Sequence, residues 1–126
     1  MSKQTILIID DNNDMLTLQK TILEGDGFDV LTAQSGASAF EVLSKFADLD
    51  LILLDLQMED MSGTDFLKIL EERWPEIVGR VPVVFLSGGK PPPESKAVGF
   101  IHKFPDIDVF LAAVHRFVDS GTTLLH

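Results

Sequence analysis

Asp55 closes an unbroken apolar run, Leu51 to Leu54, and is followed by "LQMEDMSG" (56–63). A carboxylate in that setting can be a turn residue, a metal ligand or a nucleophile, and the segment alone leaves all three open. The same juxtaposition recurs along the chain. Asp10 and Asp11 follow the apolar run "TILII" (5–9), Ser87 follows "VVFL" (83–86), and Lys103 stands just past "GFI" (99–101). If these runs are parallel strands of one open sheet, their carboxyl ends share a rim, where such sheets bind ligands. Three acids, a hydroxyl and an amine from distant parts of the sequence then meet. Three carboxylates in a small site repel each other, so a proton or a cation must sit among them. An all-oxygen donor set suits magnesium better than zinc, which prefers histidine or cysteine. The set also suits phosphoryl transfer, with a carboxylate nucleophile forming an acyl phosphate. Metal, lysine and hydroxyl would offset charge on the transferring oxygens.

Each residue taken singly has a plainer reading. "DDNND" (10–14) is good capping chemistry for a following helix. Asp55 can be an Asx-turn residue, Ser87 with Gly88 and Gly89 a turn, and Lys103 a solvated strand end. Their joint placement at strand ends is what favours a site.

The elements that must position them alternate in period. The four apolar runs have the character of strands buried on both faces, and the more mixed "DVLTA" (29–33) suits an edge strand. Between them run helical stripes: Met15, Leu18 and Ile22 with Leu16 and Leu23, ended by a glycine of "EGDGF"; Phe40, Leu43 and Ala47; and Phe66, Leu70 and Trp74 before Pro75. Ile107, Phe110, Leu111, Val114, Phe117 and Val118 form the last, over 106–119. Alternating strands and helices imply an α/β domain with a parallel sheet. One helix is expected to be lost. The window 88–98 contains Pro91, Pro92 and Pro93, whereas a mean helix takes about 11 residues and an interior proline costs about 3 kcal/mol. A loop is expected there, with at most one turn over "ESKAV". Residues 1–120 are read as one domain and 121–126 as a tail or the start of a linker.

Composition narrows the function classes. A chain of 126 residues can bury a real core as one domain. It contains no cysteine, so disulfides and thiolate metal sites are excluded and a reducing, cytoplasmic setting is expected. The start, "MSKQTILIIDD", runs into acids rather than small residues, unlike a signal peptide, and no apolar run approaches membrane-spanning length. The net charge of −10, with scattered basic residues, opposes direct contact with nucleic acid or an anionic membrane.

"ILIIDDN" (6–12), "DLILLDLQMEDMSG" (50–63), "PVVFLSG" (82–88) and "GFIHK" (99–103), in this order, resemble the receiver domain of two-component response regulators over essentially the whole chain. The resemblance implies a three-layer αβα, flavodoxin-like fold with a five-stranded parallel sheet in the order 2-1-3-4-5. It implies a phospho-accepting signalling switch without independent enzymatic activity, phosphorylated by a histidine kinase or histidine phosphotransferase and read by a downstream protein target. Carried over by position, Asp55 is the phosphoacceptor, Asp10 and Asp11 are the acidic pair, and Asp11 and Asp55 are direct Mg2+ ligands. Gln57 adds its backbone carbonyl. Ser87 bonds the phosphoryl group, Lys103 pairs with it, and Phe100 occupies the aromatic switch position, with plain core packing as its other reading. Phosphorylation would draw in Ser87, open space for that aromatic, and change the surface of the fourth and fifth strands and last helix.

Three departures stand out. Glu59 replaces the usual loop proline, Lys103-Phe104-Pro105 replaces a Lys-Pro pair, and the helix between the last two strands is expected to be missing. Two other functions compete. A pseudo-receiver would keep only the fold as an interaction module. An aspartyl-nucleophile phosphatase of the haloacid-dehalogenase kind would want an acid two residues after Asp55, where Gln57 stands. His102, His115 and His126 are scattered and fit surface or packing roles. Lys90 and Lys96 are rivals to Lys103, and Trp74 fits the core.

Overall fold

The computed structural model describes residues 3–46, 48–87, 99–102 and 106–123. The apolar runs form strands at Thr5–Ile9 (β1), Asp29–Ala33 (β2), Leu51–Asp55 (β3), Val83–Ser87 (β4) and Gly99–His102 (β5). They pair in parallel in the order β2-β1-β3-β4-β5, the order implied by the receiver resemblance. Successive strand residues point to opposite faces, so a strand covered on both sides must be apolar throughout. Leu7, Ile9, Ile52, Leu54, Val83 and Phe85 supply one face. Ile6, Ile8, Leu51, Leu53, Val84 and Leu86 supply the other.

Helices cover both faces. Gly36–Lys45 (α2), Gly63–Arg73 (α3) and Pro75–Arg80 (α4) pack on the first through Ala39, Leu43, Phe66, Leu70 and Ile77. Asn13–Gly25 (α1) and Ile107–Thr123 (α5) pack on the second through Leu16, Leu23, Phe110, Val114 and Val118. The result is three layers, αβα.

Several sequence expectations are corrected. α3 ends before Pro75 as expected, but the short helix that follows was not foreseen. Trp74 caps α3, and Pro75 opens the short α4 at a position where its missing N–H costs nothing. Trp74 is half-buried, its ring stacked on Phe40 with centroids 5.6 Å apart. Leu18 and Ile107, placed in apolar stripes, are 50% and 55% exposed, and the inward slot on α1 is taken by Gln19. The last helix continues to Thr123 rather than stopping at 119. Ala47 and the expected loop over 88–98 lie outside the described residues. The helix stop after α1 is as read: Gly27 adopts a positive φ of 97°, and the N–H of Phe28 reaches back to the Leu23 carbonyl at 3.1 Å.

Candidate functional site

β1 and β3 are in register with Ile9 opposite Leu54, so the next residues, Asp10 and Asp55, emerge side by side at the carboxyl end of the sheet. With Asp11 they form one cluster in which a carboxylate oxygen from each residue lies within 4.8 Å of the others. Asp10 is fully buried, Asp55 is 6% exposed, and Asp11 is exposed, so the cluster runs from the interior to the surface.

The capping reading of "DDNND" and the site reading both hold, for different residues. Asn12 is the N-cap of α1, its Oδ1 accepting from the Met15 N–H at 3.1 Å. Asp10 Oδ1 in turn accepts from the Asn12 N–H at 2.9 Å, which orients the carboxylate along the turn. The helix thus starts without consuming Asp11.

After Asp55 the chain folds back in a tight loop. The Gly63 N–H donates to the Leu56 carbonyl at 2.7 Å and the Met58 N–H to the Met61 carbonyl at 3.2 Å. These two bonds flank the Gln57–Ser62 bridge and use neither the N–H nor the C=O of Gln57. Gly63 is required by this close return, because a Cβ there would collide with the Asp55 carbonyl oxygen. Ser62 then caps α3, its Oγ accepting from the Asp65 N–H at 3.1 Å.

Asp60, which the sequence did not single out, has a defined task. Its carboxylate accepts from the Gly36 N–H at 3.0 Å and from the Ala37 N–H at 3.1 Å, at the amino end of α2. The Gly36 bond, reinforced by Ala37, holds the carboxyl below its ordinary value, against the opposing pull of slight burial. The partners lie 23 and 24 residues away, and no local pattern marks such a pairing. Glu59, beside it, is exposed and stands outside the three-carboxylate cluster.

The donor set is chemically coherent. All three carboxylates are hard oxygen ligands, and two of them are buried. A hard divalent cation fits such a set, and the group could hold one.

The remaining expected residues divide. β4 pairs with β3 so that Leu86 lies opposite Asp55, which sets the backbone of Ser87 one step further along the same rim. Ser87 is opposite His102, and Phe100 lies on β5 opposite Phe85. The side chains of Ser87 and Phe100 lie outside the described atoms, and so do the whole of Lys103, Lys90, Lys96 and His126. His115 sits on α5 and bonds Asp26 at 2.5 Å, far along the chain from the cluster.

A family model of the response regulator receiver domain matches residues 6–115. The chain belongs to this family. The receiver fold is matched by the Vibrio cholerae chemotaxis protein CheY4, with a TM-score of 0.82 over 92% of this chain and 99% of that one, at 22% identity. The N-terminal domain of a response regulator/sensory box/GGDEF protein from Carboxydothermus hydrogenoformans gives the same score at 27% identity, covering 98% of this receiver and 100% of that chain. Among curated relatives, the transcriptional regulatory protein CpxR of Escherichia coli K12 is 35% identical over 82 residues, 65% of this chain and 32% of CpxR. A probable cyclic di-GMP phosphodiesterase of Vibrio cholerae is 35% identical over 100 residues, 79% of this chain and 22% of that protein. The receiver thus spans a third or less of these relatives. Among the described residues, no helix is long and apolar enough to cross a membrane.

Proposed function

We propose that this receiver is a phospho-accepting switch in which Asp55 takes a phosphoryl group from a histidine kinase or histidine phosphotransferase. The observation that carries the reading is the convergence of Asp10, Asp11 and Asp55 within 4.8 Å at the carboxyl rim of the sheet. In the transfer, an Asp55 carboxylate oxygen forms a bond to phosphorus as the donor's nitrogen–phosphorus bond breaks. The imidazole nitrogen departs with that electron pair and takes up a proton. Asp10, Asp11 and Asp55, with the Gln57 carbonyl, would hold Mg2+, which when bound offsets negative charge on the transferring oxygens. Asp10 is buried and oriented by the Asn12 N–H, so it is preorganised for that duty. Ser87 would hydrogen-bond the phosphoryl oxygens, Lys103 would pair with them, and Phe100 would fill the space that Ser87 vacates.

Read this way, residues 1–120 carry the switch, the tail or linker start read at 121–126 begins within the last turn of α5, and the setting is cytoplasmic. The output is a changed surface on β4, β5 and α5 presented to a downstream protein rather than a reaction turned over. With a net charge of −10, nucleic acid and anionic membrane are not direct partners.

Incubation with acetyl phosphate and Mg2+, followed by intact mass measurement, is expected to add one phosphoryl group, and Asp55→Asn to abolish it. Failure to label with small donors or phosphohistidine proteins would point to a pseudo-receiver. Sustained turnover of phosphate monoesters would point to a phosphatase.

A further inference from the structure

The amino end of α2 is completed from outside the helix. The first four N–H groups of any helix lack intrahelical partners. Here Ser35 and Ser38 form a reciprocal box that satisfies two of them: the Ser38 N–H donates to Ser35 Oγ and the Ser35 N–H to Ser38 Oγ, both at 3.1 Å. The two between, on Gly36 and Ala37, are both taken by Asp60. α2 has no acid in its own first turn, so Asp60 is also the anion that complements its dipole. A second contact fixes the same junction. The Met61 side chain lies against Gly36 so closely that a Cβ there would collide with it.

These contacts grip the loop that carries Gln57. Asp60 and Met61 are held on α2, and Met61 is tied to Met58 by the 3.2 Å backbone bond, one residue from Gln57. The grip extends to the third loop of the rim, since the Gln34 amide just before α2 bonds Asn13 Oδ1 at the start of α1. The β1–α1, β2–α2 and β3–α3 loops are thereby joined in series.

We infer that Asp60 is a positioning residue for the acidic site: by clasping the amino end of α2 it sets the β3–α3 loop so that the Gln57 carbonyl faces the cation held by Asp10, Asp11 and Asp55. This rests on the phospho-accepting reading given above. A proline at position 59 would stiffen the loop covalently. Glu59 cannot, and the clasp supplies the rigidity instead. The clasp also engages one of the loop's two acids at the amino end of α2.

The test is calorimetric titration of Mg2+ into the unsubstituted chain and into Asp60→Ala, Asp60→Asn and Glu59→Gln. Hydrogen exchange of residues 56–62 is followed in parallel, and folding of each variant is checked by thermal unfolding. Loss of an outer contact to a ligand-bearing segment typically weakens metal binding by about tenfold or more. That is the expectation for Asp60→Ala, with faster exchange in the loop. Asp60→Asn, which keeps an acceptor oxygen without the charge, should recover part of the affinity. Glu59→Gln removes the same charge without breaking the clasp and should shift affinity far less. In phosphorylation by acetyl phosphate, the half-saturating Mg2+ should rise for Asp60→Ala while the rate at saturating Mg2+ is kept. If Asp60→Ala does not fold, Asp60→Asn against Glu59→Gln carries the comparison.

Equal affinities for the Asp60 variants and the unsubstituted chain would overturn the inference and leave the phospho-accepting reading intact. So would equal losses in Asp60→Asn, Asp60→Ala and Glu59→Gln, which would reduce the effect to charge. Absence of Mg2+ binding and of phosphorylation in the unsubstituted chain would overturn both.

Discussion

Asp60 and Glu59 are adjacent carboxylates, and their unequal surroundings show how a residue's chemistry follows from what its oxygens touch. Asp60 bonds two backbone N–H groups at a helix amino end, where a negative charge is favoured over a neutral acid. Its pKa in the folded chain therefore lies below the ordinary 3.8, with the Gly36 bond the largest cause. The direction fixes the sign of a pH effect. A carboxyl whose pKa is depressed by folding contributes stability that is fully present above its unfolded value. That contribution is lost as pH falls through the folded value. The stability advantage of the unsubstituted chain over Asp60→Asn should therefore be constant from neutral pH down to about 5, and shrink below about 4. Thermal unfolding of the two chains side by side over this range measures it, and a difference that grows on acidification would contradict the assignment.

At the scale of elements, α1 holds the clearest local conflict. Met15, Leu16, Gln19 and Leu23 are its buried residues, and the Gln19 amide, 3% exposed, has no hydrogen-bond partner for Oε1 or Nε2 among the described residues. A buried polar group without a partner costs about 1–3 kcal/mol. Gln19→Met keeps the length and helix preference of the side chain and removes the unmet polar atoms, so it should stabilise by about 1–2 kcal/mol. The urea midpoint should rise with the slope unchanged. A destabilised variant would instead reveal a bound water holding that amide. The same helix shows where sequence patterning stops being informative. Strands buried on both faces were legible because every one of their residues must be apolar, and Asp10 and Asp55 were legible as the points where that run breaks. The stripe on α1 was misread because Leu18 and Gln19 are neighbours, and period alone favours the leucine for the inward slot. Likewise α4 begins at a proline that was read only as a stop, although proline is well tolerated in the first turn. The Asp60 clasp was invisible because it joins a loop to a helix end across the fold, and no short-range rule connects the two.

For the molecule as a whole, a divalent cation held at the acidic cluster would make stability depend on what is bound. Twenty acidic and ten basic residues leave a net charge of −10. Part of that excess is concentrated at one rim, where carboxylate oxygens of Asp10, Asp11 and Asp55 lie within 4.8 Å of one another and like charges repel. A divalent ion that binds the folded chain and not the unfolded one adds stability by mass action, about 2.7 kcal/mol at a hundredfold excess over its dissociation constant. For a chain of this size that corresponds to a rise of roughly 10 °C in melting temperature. Mg2+ should produce it, EDTA should reverse it, and sodium chloride at equal ionic strength should not reproduce it. Asp10→Asn gives the decisive sign. An amide oxygen can keep the bond from the Asn12 N–H while one buried charge is removed. In EDTA the variant should therefore melt above the unsubstituted chain, and in saturating Mg2+ below it. If the two melting curves keep the same order in both conditions, the repulsion is not what the cation relieves, and the rim is not built around one.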